Sequence, residues 1–275
     1  MKLQYFGTAA AEGVPALYCQ CDLCKKALKN GGKDLRSRCQ SLVDDFLMID
    51  WPADSYWHYL TYRYDLYHLE HLLITHSHSD HFYPEDLVLR LSGYVKNTPA
   101  TLNVYGNEMV ASFLERVFDL EGYKEQERIQ FHLIQAFEPF QIENYQITPL
   151  IADHDPRENC LIYAISDGLK NMLYAHDTGE FPLATWEYLA KNGSYFDYVS
   201  LDCNSQNNDT VHNHMGFPNN LRTKARLAQL GLVDEKTIFT CSHFSHNSQL
   251  THGEMETLVA SAGFQVAYDG YEVIF

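Results

Sequence analysis

The chain has 275 residues, 45% of them hydrophobic, with 36 acidic against 20 basic side chains and a formal charge of −16. That length supports a full core within one domain spanning residues 1–275, and the acidic balance would repel a polyanion over most of the surface, which disfavours extended nucleic acid as a partner. Apolar runs such as Leu72-Leu73-Ile74 fall far short of the roughly 20 residues that cross a bilayer, so no membrane partner is expected.

From Met1-Lys2 the sequence passes straight into a strand-like Leu3–Phe6, without the apolar core and cleavage pattern of a secretory signal, and a cytoplasmic location is expected. A Gly- and Ala-rich loop carrying the cysteines Cys19, Cys21 and Cys24 and a short helix over 22–30 come next. The count of seven cysteines is odd, and Cys39, Cys160, Cys203 and Cys241 are scattered, so a disulfide framework fits poorly. Lys25, Lys26, Lys29, Lys33, Arg36 and Arg38 form the one basic stretch, read as a solvated helix face and loop; whether Arg36 or Arg38 lines an entrance is left open. Ser41–Val43 and Phe46–Ile49 flank Asp44-Asp45 as a hairpin ending on Asp50, a candidate anchor behind a site. The aromatic stretch 51–69 reads as helical, with His58, His68 and His71 as packing or surface residues.

Leu72–Thr75 reads as a buried strand delivering Thr75-His76-Ser77-His78-Ser79-Asp80-His81, after which Pro84 opens a helix to about Val95. Leu102–Tyr105 is the next strand, Asn107 caps a helix to about Leu120, and Ile129–Ile134 with Tyr145–Ala152 resume the sheet. Cys160–Ile165 and Asn171–Ala175 form a hairpin across Asp167-Gly168. Helices over 182–191 and 219–230 alternate with strands over 197–201 and 236–240. Thr251 and Glu254 make a capping box for a helix to Ala262, and 264–268 with 271–275 close the chain as a hairpin over Asp269-Gly270. The order predicts an α/β fold, two sheets face to face with helices outside.

The chemistry gathers in the histidine loop. Alternate residues of an extended loop share a side, so His76, His78 and Asp80 can converge while His81 points to a neighbouring position. Imidazoles and carboxylates suit zinc, manganese or iron, and two groups of such ligands suit a binuclear metal site with ions about 3.5–4 Å apart. Later strand ends should supply the rest: His154 after Ala152, Asp177 after Ala175 and His243 after Thr240. The expected division is His76, His78 and His154 on one ion, Asp80, His81 and His243 on the other, and Asp177 bridging. His176, Asp153 and Asp155 are read as neighbours, and His132 and His252 as uninvolved.

That loop, followed in order by His154, Asp177 and His243, resembles the metallo-β-lactamase superfamily over essentially the whole chain. The resemblance implies a four-layer αββα sandwich and hydrolysis by metal-bound hydroxide. Cys19, Cys21 and Cys24, with His246 three residues beyond His243, offer three sulfurs and one nitrogen for a closed tetrahedral structural zinc. In this superfamily the arrangement is similar to the phosphodiesterases of the carbon-phosphorus lyase pathway. What it implies is a phosphodiesterase for small or cyclic phosphodiesters, acting through a hydroxide that bridges two metal ions. Asp80 and His214 are then the catalytic residues, with His214 protonating the leaving alcohol, because the related phosphodiesterases carry a catalytic histidine in this later segment; His212 is its rival. A homodimer is compatible with this reading. The competing readings are an RNA-processing nuclease, an ester, thioester or lactone hydrolase, di-iron or dioxygenase chemistry, and a non-catalytic metal-binding protein.

Overall fold

The computed structural model describes residues 1–91, 93–97, 99–122 and 128–275. Strands β1 (Lys2–Gly7), β2 (Gln40–Val43), β3 (Leu47–Ile49), β4 (His71–Leu73), β5 (Leu102–Gly106) and β6 (Ile129–Leu133) lie in one sheet. Strands β7 (Phe140–Ile142), β8 (Tyr145–Ile151), β9 (Leu161–Ser166), β10 (Asn171–Ala175), β11 (Tyr198–Asp202), β12 (Ile238–Ser242) and β13 (Phe264–Val266) form the other. The last strand, β14 (Glu272–Ile274), returns to the first sheet, giving the orders β14-β1-β2-β3-β4-β5-β6 and β13-β12-β11-β10-β9-β8-β7.

Side-chain alternation explains why these runs stack as layers. Leu3, Tyr5, Val43, Leu47, Ile49 and Leu73 face inward against Tyr163, Ile165, Met172 and Tyr174 of the second sheet. Their neighbours Phe6, Leu42, Met48 and Leu72 point to the outer face of the first sheet. Because both faces are buried, strands such as Leu47-Met48-Ile49 are apolar throughout. Helices α1 (Asp22–Asn30) and α2 (Ser55–Tyr62) follow β1 and β3, and α3 (Glu108–Glu121) covers the first sheet with Val110, Leu114 and Val117. Helices α4 (Leu183–Asn192), α5 (Phe217–Gln229) and α6 (His252–Val259) cover the second with Trp186, Leu227 and Met255. The expected four-layer αββα arrangement is what forms. Asn107 and Thr251 cap α3 and α6 as expected, each through its side-chain oxygen. Among the described residues no helix is long and apolar enough to cross a membrane.

Four expectations are corrected. The stretch 51–69 is helical only over α2, and Pro84 opens a short 3-10 helix, Pro84–Arg90, rather than an α-helix to Val95. Arg90 explains its end: the guanidinium bonds the carbonyls of Leu66, Leu69 and Ala100, tying that turn to surrounding loops. Ile129–Ile134 and Tyr145–Ala152 belong to different sheets. The closing strands are not a hairpin: β13 pairs in parallel with β12, whereas β14 runs antiparallel to β1. Asp269 is half-buried in the crossing, where it accepts hydrogen bonds from Thr8 Oγ1, Ser37 N and Ser37 Oγ at 2.6–2.7 Å. Gly270 then turns with φ +91° and donates its N–H to the Tyr5 carbonyl.

Candidate metal centre

The residues expected to bind metal all follow the carboxyl ends of strands that share one end of the sandwich. In the first sheet β3 and β4 are parallel, and in the second β10, β11 and β12 are parallel. Strand β8 runs with β10 because β9 opposes both. The Thr75–His81 loop follows β4, His154 follows β8, Asp177 follows β10, and His243 follows β12. Asp50, Asp177 and His243 adopt positive φ of 66°, 49° and 60°. These three chain ends therefore hold a left-handed conformation that L-residues rarely adopt, an unfavourable geometry sustained by surrounding bonds.

Buried Asp50 sets the loop. Its Oδ1 accepts the Thr75 N–H and hydroxyl, both at 2.9 Å, and its Oδ2 lies 2.6 Å from His81 Nδ1. Nδ1 is thereby the protonated nitrogen of His81, and Nε2 faces the site with its lone pair. Across the sandwich, Glu158 accepts hydrogen bonds from the Ser77 hydroxyl and from Asn107 Nδ2. Asp155 Oδ2 lies 2.9 Å from His78 Nε2, leaving Nδ1 of that ring inward. The Asn213 carbonyl, 3.0 Å from His154 Nδ1, does the same for His154 Nε2.

The structure brings together the two ligand groups that the sequence suggested. His76, His78 and His154 form one, and Asp80, His81, Asp177 and His243 form the other, each with donor atoms within 4.8 Å of one another. His78 Nδ1 and His154 Nε2 are 3.2 Å apart, and the Nε2 atoms of His81 and His243 are 3.3 Å apart. Two nitrogens bound tetrahedrally to one zinc at about 2.0–2.1 Å would be separated by about 3.3 Å. Asp177 Oδ2 reaches both groups, 3.4 Å from His76 Nε2, 2.6 Å from His81 Nε2 and 3.4 Å from His243 Nε2. Buried His76 Nε2 has no hydrogen bond. An orphaned imidazole nitrogen among carboxylates is what a cation site requires of its ligands, so the residues present fit a pair of divalent ions.

Charge states agree with that fit. Burial opposes ionisation of Asp177, yet His243 and His81 hold its carboxyl well below the usual range. Burial likewise opposes, and His81 overcomes, for Asp80, which is also lowered. Burial, reinforced by His81, pushes His76 well below the ordinary imidazole value.

His214 joins the site and His212 does not. His214 Nδ1 lies 3.1 Å from Asp177 Oδ1 and 3.2 Å from Asp202 Oδ2. His212 instead pairs with Asp153 at 2.9 Å, with 80% of its side chain exposed. Beside the ligand groups a cavity of about 320 Å³ is lined by His78, Asp80, His154, Asp177, His214 and His243. A larger cavity of about 780 Å³, walled by Trp51, Tyr56, Tyr59, Tyr67 and Tyr83, shares no lining residue with it. Neither arginine left open by the sequence lines the site. Arg36 is buried against Thr8, the Ala267 carbonyl and His252, and Arg38 bonds the Ala11 carbonyl and Asp54.

Asp202 was not singled out from sequence. Fully buried at the end of β11, it accepts the Asn204 and Met215 N–H groups through Oδ1 and the Asp177 N–H through Oδ2. Oδ2 also lies 3.2 Å from His243 Nδ1. Its position repeats that of Asp50, a carboxylate closing an apolar strand, and this repetition was the available signal.

The cysteine group also assembles. Sγ atoms of Cys19, Cys21 and Cys24 lie 3.4, 3.5 and 3.6 Å from His246 Nδ1. A tetrahedral zinc with Zn–S about 2.3 Å and Zn–N about 2.0 Å would set that edge at about 3.5 Å. Cys21 caps α1, its sulfur accepting the Cys24 N–H. Burial opposes ionisation of the Cys21 thiol, but hydrogen bonds from His246 and Cys24 bring it down to about 6. His176, His132 and His252 lie outside both groups, as expected.

Residues 52–240 match the model of a family described as the beta-lactamase superfamily domain. The curated proteins contain no match. Among solved structures, a diphosphatase from the PhnP family is similar at 23% identity and TM-score 0.76, over 100% of this chain and 96% of that one. Zn(2+)-bound PqqB from Methylobacterium extorquens is similar at 18% identity and TM-score 0.73, over 100% of both chains. The short form of human tRNase Z is similar at 14% identity and TM-score 0.67, over 100% of this chain and 99% of that one. These likenesses establish a shared fold.

Proposed function

The chain belongs to the β-lactamase superfamily, and on that premise we propose that it is a metal-dependent hydrolase of small or cyclic phosphodiesters. The observation that carries the reading is the meeting of two ligand groups at Asp177 Oδ2 beside His214 and a small cavity. Two divalent ions held there, zinc or manganese with iron as a further option, supply a water-derived nucleophile near neutral pH and charge to oppose the phosphoryl oxygens.

The protein's part is positioning and proton supply. Asp80, His81 and His243 would hold one ion and His76, His78 and His154 the other, with Asp177 Oδ2 near both groups. Asp50, Asp155 and the Asn213 carbonyl fix the outer nitrogens, so the rings stay aimed without reorganisation. His214 has Nδ1 against two carboxylates, which leaves Nε2 to meet the leaving-group oxygen. Burial would lower its proton affinity, but the hydrogen bonds to Asp177 and Asp202 raise it, which favours the protonated ring as proton donor.

Two features favour a small phosphodiester over a polymer or an acyl chain. The cavity of about 320 Å³ is near the lower end of small-molecule sites, and its walls outside the ligands include Glu12, Asn204, Ser245 and Asn247 rather than an apolar channel. The cysteine-histidine cluster carries the resemblance to phosphodiesterases already noted. Seven unpaired thiols accord with a cytoplasmic location. Protein stripped of metal and reloaded with zinc or manganese should hydrolyse bis-p-nitrophenyl phosphate and 2′,3′-cyclic nucleotides in preference to carboxylic esters, thioesters and lactones. Turnover confined to the carbonyl substrates would overturn the assignment.

A further inference from the structure

The outer face of the first sheet carries an apolar surface that the metal centre does not use. Trp51, Leu69 and Leu87 of the outer core cluster form part of the wall of the 780 Å³ cavity. Its rim includes Tyr56, Tyr59, Tyr67 and Leu89, and Trp57 and Leu60 project from the same helix, α2. Residues three and four apart on a helix are neighbours, so Leu60 continues the surface from Tyr56 and joins it to Trp57. These six side chains are between 38% and 65% exposed. Aromatic side chains bury about 150–250 Å² each and leucines somewhat less, so the six leave roughly 600–700 Å² open. That is at or above the largest apolar patch of a typical monomer.

Area, charge and shape together fit a second copy of this chain. The open surface is close to the ~800 Å² per partner that a stable interface buries. Helix α2 has no Asp, Glu, Lys or Arg, in a chain with 36 acidic and 20 basic residues. Two chains of charge −16 repel least where their facing surfaces are uncharged. The face holds both projecting apolar side chains and a cavity large enough to receive them, and a two-fold axis sets each against its counterpart. Two charged residues also line the cavity, Asp86 and Arg90. Arg90 already spends its guanidinium on the carbonyls of Leu66, Leu69 and Ala100. Asp86, whose carboxyl is raised by burial and by Glu85, can accept from tyrosine hydroxyls of the second copy.

We propose that the face built from α2, Tyr67 and Leu89 is a homodimer interface, in which Trp57 and Leu60 of each copy pack over the aromatic cavity of the other. The contact is apolar at its centre and two-fold symmetric. It goes beyond the phosphodiesterase reading and does not depend on it.

The test is sedimentation velocity on the full chain loaded with zinc or manganese, at concentrations from ~1 to ~100 µM. The wild type should sediment at twice the chain mass, and added salt should not dissociate it, because an apolar contact is not screened. Trp57→Glu and Leu60→Glu each place a carboxylate at a position exposed in the single chain. Each should weaken dimerisation at least about hundredfold, by burying an unpaired charge in the contact, with circular dichroism and metal content unchanged. Having two such variants keeps the inference testable should one fold poorly. Leu183→Glu, at an exposed leucine of α4 over the other sheet, should leave the dimer intact. A wild type that stays monomeric at about 100 µM would overturn the inference. A dimer unchanged by both glutamate variants would place the contact on another face and overturn it too. Dissociation by Leu183→Glu to the same extent would do so as well, by tracing the loss to net charge.

Discussion

At the scale of single residues, two histidines close together in sequence are separated by their carboxylates. His214 faces Asp177 and Asp202, whereas His212 turns outward to Asp153. His214→Ala should therefore lower kcat by roughly 10²–10⁴, the usual contribution of a positioned acid. Aryl phosphodiesters with the least acidic leaving groups should suffer most, and metal content should not change. His212→Ala should stay near wild type, and an equal loss in both variants would move the proton donor elsewhere. Asp202 raises the proton affinity of His214 by hydrogen bonding and charge. Asp202→Asn should thus shift the alkaline limb of the kcat profile to lower pH, and an unmoved limb would show that Asp177 alone sets it. The ligands were legible because imidazole, carboxylate and thiolate at short spacing have few other uses. Asp202 was not, because an aspartate closing a strand, the one signal it shares with Asp50, does not say which rings folding brings to it, here His214 and His243.

At the scale of elements, the hairpin signals worked where both strands bury into one sheet and failed where they do not. Val43 pairs with Leu47 around Asp44 and Asp45, whose φ values are 45° and 64°. Asp269-Gly270 has the composition of Asp167-Gly168, which joins the paired strands β9 and β10, yet it joins different sheets, with Asp269 bonded to Thr8 and Ser37 of the β1–β2 loop. Local turn chemistry fixes a bend, and burial decides its partners. Helix α2 supplies a further test. His58 is buried with Nε2 2.8 Å from Ser37 Oγ and Nδ1 2.7 Å from Gln40 Oε1. Burial lowers its proton affinity from 6.5 to about 4, only slightly offset by Asp54. A lowered folded-state value means that stability is complete above about pH 6.5 and is lost as pH falls toward about 4. The full contribution is ~3 kcal/mol at 1.36 kcal/mol per unit. Urea melts of wild type and His58→Gln across that window should converge as the pH drops. A constant difference between them would mean that His58 binds its proton equally well in the folded and unfolded chains.

At the scale of the whole molecule, each proposed cation joins the two sheets. His76, His78, Asp80 and His81 come from the first sheet, while His154, Asp177 and His243 come from the second. The cysteine cluster repeats the pattern, with Cys19, Cys21 and Cys24 after β1 and His246 after β12. The sandwich has a continuous apolar core between its sheets, so the ions need not create the fold, but they should resist separation of its layers. A ligand bound only by the folded state adds about 2.7 kcal/mol at 100 times its Kd. For a chain of this size that corresponds to roughly 5–10 °C per site, at about 2–4 °C per kcal/mol. Chelation should lower Tm by at least that amount and abolish turnover, with readdition of zinc or manganese restoring both. Cys21→Ser should lose one ion by elemental analysis and lower Tm while the active-site pair is retained, so that kcat falls much less than with His78→Ala. If Cys21→Ser instead kept every ion, or lost one with Tm unchanged, the cysteine cluster would not be a tie between the sheets. The link from β1 to β12 would then rest on the backbone bonds Ala10 N to Phe244 O and Phe244 N to Thr8 O, with the hydrogen bonds from Ser245 Oγ to Glu12 and from Leu23 N to Gln249 Oε1 beside them.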